Sequence, residues 1–151
     1  MENDLWNRII QHWQMQNIPI RAGVRLSEVV EFESKCHVVM PDDVRDYFMA
    51  VDGTGDETVD EWINRFWPLA EVKPVHEELK AVHPDQFSYP DCFVFADHLI
   101  QSLLYAVKLT QNPNQPAPVF RVTGSSSPGK QICNSFREFM SRYADNPDSI
   151  L

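Results

Sequence analysis

The chain has 151 residues, 43% of them apolar, 23% charged and 11% aromatic, which predicts one globular domain. Its 13 basic and 22 acidic side chains give a net charge of −9, and this disfavours nucleic acid as a ligand because phosphate contacts need Lys and Arg. The three cysteines cannot all pair, the N-terminus carries no signal segment and no stretch is long enough to span a membrane, so we expect a cytoplasmic protein with reduced thiols and no membrane partner.

The first part of the chain shows helical spacing of its apolar residues. Leu5, Ile9 and Trp13 recur at that spacing and predict a helix over residues 4–16. Ser27 is typical of a helix N-cap and predicts a second, shorter helix whose apolar side chains turn toward a core.

A third helix is predicted to begin at Pro41, which suits the first helical position. Residues 52–55 end it. Its core-facing stripe consists of Val44, Tyr47, Phe48 and Val51. Residues 58–61 then form a capping-box pattern, which predicts a further short helix that continues toward Phe66.

After Phe66 the pattern changes to short runs rich in aromatic and β-branched residues, bounded by turn signals. The predicted strands are 67–72, 92–96, 103–109, 118–123 and 131–133. One helical turn is predicted at 77–82, in the proline-punctuated connection between the first two strands. Since no strong helix interrupts the later runs, we expect a mainly antiparallel sheet of about four to six strands.

Ser135 and Glu138 form a second capping box, which predicts a C-terminal helix. The stripe that this helix turns toward the core consists of Phe136, Phe139, Met140 and Tyr143. This order of elements, with helices first, strands next and one helix last, predicts a single α+β domain over residues 1–151. We expect the sheet to pack against the N-terminal helices and the C-terminal helix.

The acidic residues are concentrated in one segment. Residues 28–61 contain eleven acids and two bases, so this segment carries the whole net charge of −9. Two interpretations stay open: a solvated helical surface, or an anionic docking surface for a basic partner. The candidate partner contacts are Asp52, Asp56, Glu57, Asp60, Glu61, Trp62 and Trp67. Core packing is the competing explanation for both tryptophans.

Residues 124–130 fit the pattern G-x-x-x-x-G-K of a phosphate-binding loop, which leaves a phosphate- or nucleotide-using enzyme as an alternative. Two features disagree with that pattern. Gln131 stands where such loops carry Ser or Thr, and the next predicted helix begins five residues after the lysine instead of at it. We therefore predict a surface loop in which Lys130 binds no nucleotide.

The sequence contains no complete motif for metal binding or for catalysis. Residues 76–80 begin like H-E-x-x-H but end in Lys, so the second imidazole ligand is missing. There is no G-x-S-x-G, and nothing distinguishes two of the eleven clustered acids as a general acid/base pair. We expect no catalytic residue, no metal site and no cofactor.

Four sequence blocks, each present once, follow one another in a specific order over roughly residues 27–145. They are 29–33 with 40–48 and 51–53, then 66–72, then 93–97 with 105–107, and finally 118–120 with 132–139. Together they resemble the SUKH superfamily, which includes the fungal cell-wall assembly regulator and many bacterial immunity proteins. This sequence departs from the family pattern at Met40, at Asp52 and at residues 98–104, where the glycines that often follow the central Asp are absent.

The resemblance implies an α+β binding module. Bacterial members are similar to cytoplasmic antidotes that block the active sites of secreted toxins, often nucleases or deaminases. A toxin that grips phosphate is basic, so an acidic surface would attract it and speed their encounter. The alternative, which the fungal member suggests, is a regulatory or scaffold protein without a toxin partner.

Overall fold

The computed structural model describes residues 2–55, 58–79, 91–123 and 129–150. These residues form an α+β fold, as predicted. The helices are α1 (Glu2–Met15), α2 (Leu26–Cys36), α3 (Asp42–Ala50), α4 (Val75–Leu79) and α5 (Phe136–Asp145), with short 3-10 helices at Leu69–Glu71 and Pro147–Ile150. The strands are β1 (Asn64–Phe66), β2 (Lys73–Pro74), β3 (Cys92–His98), β4 (Leu103–Lys108), β5 (Val119–Thr123) and β6 (Lys130–Cys133).

All six strands join one antiparallel sheet in the order β1-β3-β4-β5-β6, and β2 pairs with β3 beyond the end of β1. Strand β3 is buried along its whole length. Asn64 of β1 lies opposite His98, and Leu103 of β4 also faces His98 from the other side. The end of β3 is therefore shared by two neighbours, and the β3–β4 turn that follows it projects from the sheet.

The sheet is apolar on both faces. Phe93, Phe95, Tyr105 and Val107 belong to the main core, which also contains the buried residues of α1, α2, α3 and α5. Side chains that alternate with them, such as Val94 and Ala106, form a smaller buried cluster with Trp67 and Val75 on the other face. The alternation follows from strand geometry, in which successive side chains point to opposite faces.

Helix α5 closes the main core. Ser135 is its N-cap, and the Ser135 hydroxyl accepts a hydrogen bond from the Glu138 N–H at 3.1 Å. The Glu138 carboxylate accepts from the Asn134 N–H, one residue earlier than a capping box requires. The predicted stripe of this helix is completely buried: Phe136, Phe139, Met140 and Tyr143. Truncating one such Phe to Ala typically costs about 3–5 kcal/mol.

The helix predicted from residues 58–61 toward Phe66 is wrong. Asp60 accepts hydrogen bonds from the N–H groups of Trp62 and Asn64, and these local bonds make a turn that leads into β1. The Thr54 hydroxyl donates to the Thr58 carbonyl at 2.7 Å and holds the start of the turn. Asp and Thr side chains compete with helix formation in this way.

The strand predicted at 67–72 is also wrong. Trp67 N–H still donates to the Phe95 carbonyl, but Pro68 follows and has no N–H to continue the ladder. The Leu69 N–H instead reaches the Asp52 carboxylate at 2.7 Å, and the chain turns into a 3-10 helix.

Two smaller predictions need adjustment. Ser27 is not the N-cap of α2, since the helix begins at Leu26 and Arg25 holds the cap position. Its first turn is stabilised by the Glu28 carboxylate, which accepts the Arg25 N–H at 2.8 Å. The helical turn predicted at 77–82 is α4, which begins two residues earlier, and residues 80–82 lie outside the described residues.

Candidate functional site

The acidic segment 28–61 runs along α2 and α3 and into the turn before β1. Its described acids differ in exposure, and Glu33, Asp43 and Asp46 are half-buried. Glu28, Glu31, Asp42 and Glu61 are exposed, whereas Asp52 and Asp60 are buried at 7% and 4% exposure. Asp56 and Glu57, also predicted as contacts, lie outside the described residues. Only some acids of the predicted anionic docking surface are therefore exposed to solvent.

Asp52 supports the chain that follows β1. Its carboxylate accepts the Leu69 N–H at 2.7 Å and lies 3.7 Å from the Arg21 guanidinium. Burial raises the pKa of the Asp52 carboxyl, against the opposing effects of that N–H and of Arg21. The next residue, Gly53, adopts φ +82°, and a Cβ there would lie 2.3 Å from the Phe66 carbonyl oxygen, so only glycine allows this close approach.

Asp60 is the centre of a buried polar network. Its carboxylate accepts hydrogen bonds from the N–H of Trp62, the N–H and side-chain amide of Asn64, and the Tyr143 hydroxyl. The Tyr143 oxygen in turn accepts the Trp13 indole N–H at 2.8 Å. Burial, with the Asp60 charge as the second cause, raises the pKa of the Tyr143 hydroxyl, so Tyr143 stays a donor. Asp60 thus joins the turn to α5 and α1.

The two candidate tryptophans differ in exposure. Trp67 is 2% exposed, and its indole N–H donates to the buried Asp97 carboxylate at 2.7 Å, which assigns it to the smaller core cluster. Trp62 is 39% exposed and stands on the turn that Asp60 holds. Of the seven predicted residues, only Asp60, Glu61 and Trp62 share one described turn, and Trp62 is the aromatic residue available to a partner.

A groove of mixed charge borders α2. One part of it, about 370 Å³, is lined by Glu28, Glu31 and Asp52 together with Arg21 and Lys35. It continues past Cys36 into a cleft of about 660 Å³ between α2, α4 and the segment 65–74. The groove is therefore acidic toward the start of α2.

Two of the basic side chains that line the cleft are paired with acids. Arg65 binds Glu71 at 2.5 Å and Lys73 binds Glu78 at 2.7 Å. Both cations also lie over the Trp67 ring, 5.7 and 5.9 Å from a ring centroid. Sequence reasoning missed this cluster because its members come from segments predicted to be a helix, a strand and a connection.

Sequence reasoning also missed an exposed group of apolar side chains at the end of the sheet. We call it the apolar tip: Trp62, Ile63, Leu99 and Ile100. The Leu99 N–H donates to the Ile63 carbonyl at 3.0 Å, which joins the turn before β1 to the β3–β4 turn. The absence of the family's glycines at 98–104 was the available signal, since it places large side chains in a tight turn.

The backbone of the tip is strained. Ile63, Leu99, Ile100 and Gln101 have φ values of 62°, 52°, 53° and 68°. This left-handed region costs a residue with a Cβ about 1–2 kcal/mol, and β-branched residues such as isoleucine rarely adopt it. The tip keeps this shape because the Asp97 carboxylate accepts the Gln101 N–H and the Ser102 hydroxyl donates to the Leu99 carbonyl.

The remaining chemical candidates have these positions. Lys130 begins strand β6 opposite Arg121, and α5 does not begin until Phe136, so no helix N-terminus follows this lysine as it does in a phosphate loop. Residues 124–128 of the loop lie outside the described residues. Among the residues that the structure describes, no three His, Cys, Asp or Glu side chains are grouped to hold a metal ion.

All three cysteines are free thiols. Burial raises the pKa of Cys36 and Cys133, and raises that of Cys92 to about 11, which disfavours the thiolate that nucleophilic chemistry requires. None of the described helices combines the length and apolar character needed to cross a membrane.

Comparison with known families matches residues 23–142 to the SMI1 / KNR4 family (SUKH-1). The matched range begins before α2 and ends within α5, so it includes the acidic helices, the whole sheet and the apolar tip. No curated protein matches the chain.

Proposed function

Because the chain belongs to the SMI1 / KNR4 family (SUKH-1), we propose that it is a non-enzymatic protein-binding module, and specifically an immunity protein that neutralises a basic toxin. It does so by occupying the toxin's active-site surface with the exposed acids of segment 28–61. The SUKH resemblance implies this class of partner, and the sign of the charge is the one that a phosphate-gripping toxin would attract.

The observation that carries the proposal is the distribution of paired and unpaired charge. Outside the segment, four bases pair with acids at 2.5–2.8 Å: Arg8–Asp145, Arg65–Glu71, Lys73–Glu78 and Arg142–Glu138. Inside it, Glu31 and Glu61 are exposed and have no ion-pair partner within the described part of the chain. Glu31 on α2 and Glu61 on the turn before β1 therefore give the segment exposed negative charge that no neighbouring base offsets.

Exposed, unpaired charges act mainly on the rate of association. They add little to folding stability, but their summed field attracts an oppositely charged partner and orients the encounter. The effect depends on salt, because the screening length falls from about 10 Å at 0.1 M ionic strength to about 3 Å at 1 M. A binding reaction steered by Glu31 and Glu61 slows as salt is added.

The test begins with capture of the partner from the source cell by the immobilised chain, followed by its purification. Stopped-flow association is then measured for the wild type and for Glu31→Lys/Glu61→Lys, which changes the net charge from −9 to −5. The matched control, Glu77→Lys/Asp148→Lys, also reaches −5 but changes exposed acids outside the segment that likewise have no ion-pair partner among the described residues. We expect the first variant to lower the on-rate about tenfold at low salt, and the control to lower it much less.

In a second experiment, cells express the captured protein either alone or together with the chain. Immunity predicts that the captured protein stops growth and that the wild-type chain restores it. A captured protein that is harmless alone contradicts the immunity proposal and favours the regulatory alternative. Equal slowing by both charge variants would show that total charge matters and that the acidic segment is not the contact surface.

A further inference from the structure

The apolar tip exposes side chains that a folded protein normally buries. Ile100 is 85% exposed, Leu99 47%, Ile63 40% and Trp62 39%. They come from two segments that the Leu99–Ile63 backbone hydrogen bond holds side by side. Clustered apolar side chains of this kind mark interaction surfaces more often than isolated ones do.

The backbone at the tip gives a second reason. Leu99, Ile100 and Ile63 occupy left-handed positions in which glycine or asparagine would be more stable, yet Ile100 gains little burial there and Leu99 and Ile63 are only about half buried. The sequence therefore keeps large apolar side chains where folding alone would favour small ones. Strain that persists at an exposed site indicates a function for it.

The tip is also fixed before any partner arrives. The buried Asp60 carboxylate holds the turn that carries Trp62, and the buried Asp97 carboxylate accepts the Gln101 N–H at 3.2 Å. Side chains that stand on a fixed backbone lose less conformational entropy on binding. These two acids act as positioning residues.

The charge around the tip selects among possible occupants. On a chain of net charge −9, residues 58–64 and 97–103 contain neither Lys nor Arg, and their exposed charged side chain is that of Glu61, because Asp60 and Asp97 are buried. A second copy of this chain would bring the same negative charge, and an anionic lipid surface would be repelled as well. The complementary surface is apolar at its centre and carries Lys or Arg around it.

We propose that the apolar tip is the anchor of this protein's interface, and that it inserts into an apolar socket rimmed by Lys and Arg on the partner protein. This proposal rests on the proposed function, because the partner is taken to be the same basic protein. It adds the division of labour in which Glu31 and Glu61 speed the encounter, while Ile63, Leu99 and Ile100 slow dissociation.

A defined probe tests the chemistry without the natural partner. A 15-residue amphipathic peptide of Leu and Lys is titrated into the full-length, isotopically labelled chain, in parallel with its Leu and Glu counterpart. We expect saturable amide shifts at residues 61–63 and 98–101 with the Lys peptide alone. Shifts confined to other residues, equal shifts with both peptides, or no saturable shift would each overturn the proposal.

The decisive variant is Leu99→Gly/Ile100→Gly, because glycine relieves the strained backbone as it removes the apolar side chains. We expect its melting temperature to equal or exceed that of the wild type, while the off-rate of the captured partner rises about tenfold or more. The control is Met49→Gln, which removes an apolar side chain of 41% exposure on α3 and is expected to leave the off-rate unchanged. A second variant, Leu99→Asn/Ile100→Asn, keeps the test valid if the glycine chain folds poorly.

The outcomes separate this proposal from the proposed function. If Leu99→Gly/Ile100→Gly binds like the wild type while Glu31→Lys/Glu61→Lys associates slowly, the anchor is wrong and the acidic surface stands. If the tip variant dissociates faster and the charge variant associates normally, the anchor stands and acidic steering is wrong. If neither variant differs from the wild type, both proposals fail.

Discussion

The Asp60 carboxylate holds the turn that carries Trp62 by accepting the N–H groups of Trp62 and Asn64. In the sequence it is one acid among eleven in an acidic segment. In the fold it is 4% exposed and accepts hydrogen bonds from Trp62, Asn64 and Tyr143. A buried charge is stable only when such donors surround it. Asp60 is therefore not itself a contact residue; it positions the candidate contact residue Trp62.

Tyr143→Phe tests this network. The change removes one donor from the buried Asp60 carboxylate and leaves the Trp13 indole N–H without its acceptor. We expect the free energy of unfolding to fall by about 1–3 kcal/mol, the usual cost of an unsatisfied buried polar group. Urea denaturation measures it.

Tyr47→Phe is the matched control for that experiment. The Tyr47 hydroxyl is buried and has no hydrogen-bond partner among the described residues. We therefore expect its removal to be neutral or slightly stabilising. Equal losses in the two variants would contradict the role given to the Asp60 network.

The raised pKa of Asp52 predicts that folding stability depends on pH. Because burial raises its pKa in the folded state above the ordinary value of 3.8, the folded chain holds this proton more tightly than the unfolded chain does. The resulting stabilisation is present below the unfolded pKa and is lost as pH rises through the folded pKa. Asp52→Asn removes this titration, yet its amide oxygen can still accept the Leu69 N–H.

We expect the free energy of unfolding of Asp52→Asn, relative to that of the wild type, to be larger at pH 7 than at pH 4, so that the variant is relatively more stable at the higher pH. Urea denaturation of both chains at the two pH values checks this. Asp52→Ala separates charge from hydrogen bonding, because it also loses the acceptor for Leu69 and should be destabilised at pH 7. A relative stability of Asp52→Asn that is the same at both pH values would contradict the prediction.

At the scale of elements, prediction succeeded where the residue pattern is local. The strands β3, β4 and β5 are runs of aromatic and β-branched residues bounded by turn signals, and the stripe of α5 repeats at helical spacing. Prediction failed between residues 58 and 72, where side chains decide the backbone. Asp60 bonds its own turn and Pro68 interrupts a strand, and neither effect has a periodic signature.

The candidate site was predictable only in part for a related reason. Net charge and its concentration in residues 28–61 are properties of the sequence, but the exposure of each acid depends on the tertiary fold. The apolar tip is still harder to predict. Ile63 and Leu99 are 36 positions apart in the chain and meet only because β1 pairs with β3. Such a surface is created by strand order, which a local pattern does not contain.

At the scale of the whole molecule, the main core draws on both ends of the chain. Leu5, Ile9 and Trp13 from α1 share it with Phe136 and Tyr143 from α5. Removing the last sixteen residues therefore deletes one wall of the core instead of a peripheral helix.

We expect the chain truncated after residue 135 to be unfolded. The deletion removes four completely buried side chains, each worth about 2–5 kcal/mol, from a fold whose total stability is about 5–15 kcal/mol. Thermal denaturation followed by circular dichroism is the measurement. A cooperative melt near the full-length temperature would refute the expectation.

The hydrogen bond between Trp13 and Tyr143 spans 130 residues, and this separation determines when the protein can complete its fold during synthesis. At about 5–20 residues per second, a ribosome takes roughly 7 to 26 s to proceed from one residue to the other. During that interval the apolar face of α1 has no α5 to cover it, and the nascent chain is open to chaperones and to aggregation. Codons that slow translation between β6 and α5 would lengthen this exposure, whereas a circular permutant that joins α5 directly ahead of α1 would shorten it.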